Sequence, residues 1–214
     1  MSRLVLLAGA GSDSGRAVCS RLMDAGDRVI AVGSRLWRLA DTPATARKEA
    51  DLSSASAVET LAGRIRDEHG TIDGLVHLVG GWRAGRADDD WAWLESRVVE
   101  TFRLVSRAFH PDLAAAPAGR LVMVSSTTVE SPTWSNANYA AAKAAAEAWA
   151  RAAAAGFAKG GSAASVILVV RSLGGGEGAT PVDALADRIA SLWDEPADRL
   201  NGARVPLAPE RLTT

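Results

Sequence analysis

Short runs of Val, Leu, Ile and Ala recur along this chain, each too brief for a buried helix: Leu4 to Ala8, Arg28 to Val32, Gly74 to Val79, Leu121 to Ser125 and Ser165 to Val170. Runs that stay apolar, rather than alternating, fit strands covered on both faces, and strands interleaved with helices build a parallel sheet. Two weaker segments join them, Ala46 to Ala50 ahead of Asp51 and Val205 to Leu207. Helices are predicted over Gly15 to Ala25, Ser53 to His69, Trp91 to His110, Asn138 to Ala158 and Val182 to Trp193. Ser53 or Ser54 is placed to cap the second, and Pro111 to stop the third. No repeat, linker or composition break divides the 214 residues. The expectation is a single doubly wound α/β domain, 1–214, with a parallel sheet of about seven strands and helices on both faces.

Composition narrows the partners. A net charge of -1, with 48% hydrophobic and 23% charged residues, is that of an ordinary water-soluble chain and gives nucleic acid no basic surface to bind. No apolar run approaches the ~20 residues of a membrane span, and the alanine tract from Tyr139 to Ala158 is broken by Lys143, Glu147 and Arg151. The first apolar run ends in a glycine turn and not in a cleavage site, so no signal peptide is expected. The lone Cys19 permits no intrachain disulfide, reads as a buried thiol, and fits a reducing cytoplasm. His69, His77 and His110 are too scattered for a metal site, and Asp88-Asp89-Asp90 reads as charge complementing a helix N-terminus. Of seven tryptophans, Trp82, Trp91, Trp93 and Trp134 fall in or near loops, as a pocket lining, a subunit contact or ordinary packing.

The chemistry-bearing residues gather at strand ends. Leu4 to Ala8 runs into Gly9-Ala10-Gly11-Ser12-Asp13-Ser14-Gly15 and then a helix. Strand, glycine turn and helix start together make a cradle for a pyrophosphate, because backbone N–H groups at a helix N-terminus attract anions. After the second strand, Gly33-Ser34-Arg35 lacks the acid that would bind ribose hydroxyls, and a hydroxyl with a guanidinium suits a 2′-phosphate. NADP(H) is therefore expected ahead of NAD(H), with Asp51 placed to accept from the adenine amino group. Ser126 closes the fifth strand. Tyr139 and Lys143 stand at an i, i+4 spacing on one helix face. An ammonium close to a phenol favours the phenolate, giving a proton donor or acceptor for an oxygen. The cluster Gly174-Gly175-Gly176-Glu177-Gly178 reads as a flexible loop over the same sheet edge.

Asn138-Tyr139-Ala140-Ala141-Ala142-Lys143, Ser126 at the end of Gly119-Arg120-Leu121-Val122-Met123-Val124-Ser125, and Asn201-Gly202-Ala203-Arg204-Val205-Pro206-Leu207 together resemble the short-chain dehydrogenase/reductase family over nearly the whole chain. The resemblance implies a Rossmann-type fold and reversible carbonyl or alcohol redox. Tyr139 exchanges the proton, Lys143 lowers its pKa and holds the nicotinamide ribose, and Ser126 positions the carbonyl. It places Gly9, Gly11, Ser12, Asp13, Ser14, Gly15, Ser34, Arg35, Asp51, Leu52, Val79, Gly80 and Ser172 at the cofactor, and it implies a homodimer or homotetramer through two long helices. Departures are also legible. Ala8 and Asp13 stand where the family has Thr and Gly, and Asp13 repels a pyrophosphate unless it turns away or caps the helix. His77-Leu78-Val79-Gly80 replaces N-N-A-G, which removes an asparagine bond. The helix from Trp91 to His110 lacks the family's water-anchoring asparagine, and Arg171-Ser172 replaces Pro-Gly, with a short loop after it. Leu78-Val79-Gly80-Gly81-Trp82 is similar to the dihydropteridine reductase branch, which lacks the serine found at Ser126. That likeness implies a flat ring substrate on Trp82. A nicotinamide-binding sensor or scaffold with little turnover is the rival reading.

Overall fold

A computed structural model describes residues 2–207. Seven parallel strands form one sheet in the order β3-β2-β1-β4-β5-β6-β7. They are β1 (Leu4–Ala8), β2 (Arg28–Gly33), β3 (Ala46–Glu49), β4 (Gly74–His77), β5 (Arg120–Ser126), β6 (Ala164–Val170) and β7 (Arg204–Pro206). The helices are α1 (Asp13–Asp24), α2 (Ala55–His69), α3 (Asp88–Leu94), α4 (Thr101–Ala115), α5 (Ala137–Phe157), α6 (Val182–Ser191) and α7 (Ala197–Leu200). A π-helical turn, Glu95–Glu100, joins α3 to α4.

The apolar runs behave as their composition dictates. Every residue of β1, β4 and β6 is buried. Along β1, Leu4, Leu6 and Ala8 enter one core with α2, α4 and α5, while Val5 and Leu7 enter a second core with α1 and α6. Alternation thus divides the buried central strands between two apolar layers. The strand order reverses between β1 and β4, and the carboxyl ends of strands at such a point splay apart to leave a crevice.

Several boundaries differ from the sequence reading. α1 starts at Asp13, because Ser12 caps it by accepting the Gly15 N–H at 3.0 Å. Ser54, not Ser53, caps α2. β4 stops at His77, short of Val79, and α6 stops at Ser191, short of Trp193. The third helix begins early, at Asp88, and does not stop at Pro111. α4 continues to Ala115 because Phe109 and Leu113 are fully buried and Asp112, one residue past the proline, takes the Arg66 guanidinium at 3.0 Å. Packing outweighs the one hydrogen bond that proline withholds. The glycine cluster after β6 is tied at its ends, while Gly175, Gly176 and Glu177 stay exposed. Thr180 donates its N–H to the Ser172 carbonyl at 2.9 Å and its hydroxyl to the Leu207 carbonyl at 3.1 Å, closing the segment on itself.

Arg120 anchors the sheet edge away from the crevice. It is 2% exposed, and its guanidinium donates to the carbonyls of Leu192, Gly119, Ser162 and Glu195 at 2.8–3.2 Å. Truncating it orphans buried acceptors, each costing about 1–3 kcal/mol. Arg120→Ala is expected to destabilise the fold by roughly 3 kcal/mol while leaving nucleotide affinity unchanged. Chemical denaturation beside a binding titration checks this, and equal loss of both would refute the separation of the two sheet edges.

Candidate active site

At the carboxyl edge, a cleft of about 620 Å³ opens between the ends of β1, β2 and β4. Of the residues the sequence placed at a cofactor, Gly9, Gly11, Ser12, Ser34, Arg35, Asp51, Leu52, Val79 and Gly80 line it. Asp13, Ser14, Gly15, Tyr139, Lys143 and Ser172 are not among the residues that line it. Gly15 acts beneath the floor: a Cβ there would sit 2.6 Å from the Gly9 carbonyl oxygen. Ser172 is exposed in the closed segment after β6. Arg38, Ser96, Arg97 and Thr101 also line the cleft and were missed. Arg38 sits on a short 3-10 turn after β2, Leu36–Leu39, and nothing in its local sequence separates it from a surface charge.

The glycine turn is a narrow fit. Gly9 has φ +87°, and a Cβ there would lie 2.8 Å from the Leu78 carbonyl carbon, so both conformation and space demand glycine. Helix geometry leaves the Asp13 and Ser14 N–H groups without intrahelical acceptors. The Asp13 carboxylate turns outward, with its side chain 85% exposed, and pairs with Arg16. Arg16 also donates to the Gly11 carbonyl at 2.9 Å. The charge that threatened an anion here is thus turned to solvent and neutralised. Across the cleft, Asp51 Oδ1 accepts both the hydroxyl and the N–H of Ser53, at 2.6 and 3.0 Å. Those bonds hold its carboxyl below the usual range. Glu49, also unforeseen, accepts the Leu36 N–H at 2.6 Å, one residue past Arg35.

Gly80, at the cleft wall, borders the buried Lys143. A Cβ at Gly80 would stand 3.8 Å from Lys143 Nζ. Lys143 is buried, donates to the Val124 carbonyl at 2.9 Å, and lies 5.9 Å from the centre of the Tyr139 ring. Ser126 Oγ accepts from Thr128 N at 3.2 Å and Thr128 Oγ1 at 3.0 Å. One expectation is reversed. Burial pushes the Tyr139 phenol above its ordinary value, and Ser126 offsets part of that rise. The ammonium does not win because its bond goes to a carbonyl, and burial drives its own pKa down to about 8, with Glu147 opposing.

A family model described as short chain dehydrogenase matches residues 3–172. The chain belongs to that family. It is 29% identical over 139 residues to a probable NADP-dependent dehydrogenase of Haemophilus influenzae, covering 56% of this chain and 52% of that protein. It is 28% identical over 157 residues to the 2,3-dihydro-2,3-dihydroxybenzoate dehydrogenase of Bacillus subtilis, covering 67% and 60%. The matched part thus spans little more than half the length of these relatives. A metagenomic short-chain oxidoreductase solved in complex with NADP superposes with a TM-score of 0.84 at 24% identity, over 98% of each chain, a likeness of fold.

His77, standing where the family's N-N-A-G has an asparagine, is itself hydrogen-bonded. His77 is 4% exposed, and its Nε2 lies 3.1 Å from Thr101 Oγ1. Thr101 also explains the π turn. Its N–H bonds back to the Ser96 carbonyl, five residues away, and its hydroxyl donates to the Arg97 carbonyl at 2.7 Å. A hydroxyl has entered the backbone ladder where the helix passes the cleft. Burial, then the Lys143 charge, pushes His77 down to about 3. Its folded pKa lies below its unfolded value of about 6.5. Between those limits the unfolded chain takes up a proton that the folded chain refuses, so stability falls as pH falls through that window. His77→Gln removes this titration. The melting-temperature advantage of the parent over the variant is expected to shrink from about pH 7 to about pH 4. Parallel melting curves across that range would contradict it.

Proposed function

We propose that this short-chain dehydrogenase transfers hydride between NADP(H) and a carbonyl or alcohol, with Tyr139 exchanging the proton. The carrying observation is that the lining of the cleft reaches Gly80, which borders the buried Lys143 amine, and that this amine shares a helix face with Tyr139. The residues fit a dinucleotide. Gly9 and Gly11 leave room for close approach, the start of α1 offers N–H groups to a pyrophosphate, and Asp13 is turned outward. Bound there, the nicotinamide supplies the hydride. Ser126 orients the substrate oxygen by hydrogen bonding, and Tyr139 Oη gives or takes its proton. Lys143 supplies the nearby positive charge that stabilises a phenolate when the proton leaves.

Two features support the phosphate form of the cofactor. No carboxylate stands at 33–35, and two guanidiniums, Arg35 and Arg38, line the cleft beside Ser34. Glu49, the neighbouring carboxylate on β3, is engaged by the Leu36 N–H. Replacing Arg35 and Arg38 together with alanine is expected to weaken NADPH at least ten-fold more than NADH, about 1.4 kcal/mol, the scale of a charge-assisted bond. Equal weakening of both in calorimetric titrations would remove the preference.

A flat, conjugated ring is the second substrate reading, and the exposed tryptophans favour it. Trp82 and Trp134 are 66% and 75% exposed on the loops that follow β4 and β5. Those loops are sewn together beside Tyr139: the Gly85 N–H bonds the Ser135 carbonyl at 3.1 Å, and Asn138 Nδ2 bonds the Ala87 carbonyl at 3.0 Å. Arg83 and Arg97 stack on Trp93 at 4.6 and 4.9 Å, and Arg86 stacks on Trp134 at 5.1 Å. The rim therefore offers aromatic faces with cations beside them. The decisive assay runs simple ketones, quinones and pterins with NADPH against the parent and Tyr139→Phe. At least one class is expected to turn over, with kcat reduced about 10²-fold or more in the variant and NADPH affinity retained. Binding without any turnover above the variant would favour the sensor reading.

A further inference from the structure

Glu147 is a buried ion that the scheme above does not use. It stands one helical turn beyond Lys143 on α5 and is 1% exposed. Its Oε1 accepts the Ser125 hydroxyl at 2.6 Å. Arg204 Nε, from β7, bridges both carboxylate oxygens at 3.2 Å. Arg151 reaches Oε2 at 3.2 Å. Arg204 also donates to the Ser126 carbonyl at 3.3 Å and pairs with Glu130, just past the 3-10 turn Thr127–Val129. A carboxylate this far from water is costly unless its lone pairs are taken up, and here each oxygen has two donors. The donors come from three elements that meet beside the serine and the lysine.

We propose that Glu147 is a positioning residue: through Ser125 and Arg204 it fixes the end of β5 that carries Ser126, and from the next turn of α5 it supplies the countercharge to Lys143. The assignment rests on the functional reading above only for what the lysine and serine are held in place to do. The groups facing Lys143 are few. Tyr139 and Glu147 come from its own helix, His77 and the Val124 carbonyl come from β4 and β5, and Arg204 of β7 acts through Glu147. His77 is neutral near physiological pH, which leaves Glu147 as the opposing charge that burial works against. A carboxylate serving only as packing glue would be replaceable by its amide without moving the lysine's titration.

The test follows the Lys143 side chain by NMR in lysine-labelled protein. Lys48 and Lys159 are the other lysines, and Lys143→Arg assigns the signal. In folded Glu147→Gln the Lys143 titration is expected to move below its parent value of about 8. The alkaline limb of the kcat profile is expected to move with it, while NADPH affinity changes little. An unmoved titration overturns the proposal. Should Glu147→Gln fail to fold, Arg151→Met takes its place. Arg151 is half exposed, and removing its charge frees the carboxylate to act on the lysine, so the titration is expected to rise. No movement there overturns the proposal equally. A shifted lysine in a protein that turns over no carbonyl substrate would uphold the Glu147 assignment and sink the oxidoreductase reading, so the two stand or fall separately.

Discussion

The site depends on a contact between two backbones. The turn after β1 presses against the end of β4 so closely that Gly9 has no space for even a methyl group beside Leu78. The turn is stitched to both neighbouring strands. Gly9 and Ala10 donate to the Val32 carbonyl at 3.0 and 3.2 Å, and Leu78 donates to the Ala8 carbonyl at 2.8 Å. These bonds set the depth of the crevice and aim the first turn of α1 across its mouth. The buried strands on either side cannot slide without exposing a whole apolar face, so the geometry at the turn is inherited from the core.

Charge is distributed according to the same plan. At the edge remote from the cleft, Arg120 is buried and donates to four carbonyls, a stabilising clamp with no proton to exchange. At the cleft edge, a lysine, a neutral histidine, a phenol and a carboxylate lie within adjoining turns and strands. Burial moves the lysine, the histidine and the phenol off their values in water, and the carboxylate is held by donors on both oxygens. Such groups cost stability, and they are tolerated where proton affinity has to be set rather than left at its value in water.

What the sequence disclosed divides along physical lines. The strands were legible because unbroken apolar runs have few alternatives, and the Gly9, Gly11 and Ser12 turn because strand, glycine and helix start form a local pattern. Arg38, Arg97 and Thr101 were not legible. They reach the cleft through the 3-10 turn after β2 and the π turn before α4, and neither leaves a recognisable composition. Pro111 misled because a local propensity was outweighed by tertiary burial of Phe109 and Leu113. The protonation of Tyr139 misled because a spacing of four fixes a shared face but not which acceptor the amine chooses; it chose Val124.

The π turn carries one more implication, for how this helix is phased. Leu94 and Phe102 are both fully buried, yet they are eight residues apart. On an uninterrupted α-helix that separation would rotate one from the other by about 80°. The wide turn takes up part of that rotation, so Leu94 and Phe102 both enter the core that α5 shares. Glu95 to Glu100 therefore behaves as a spacer of one extra residue, and a deletion inside it would restore ordinary winding while withdrawing the Thr101 hydroxyl from His77.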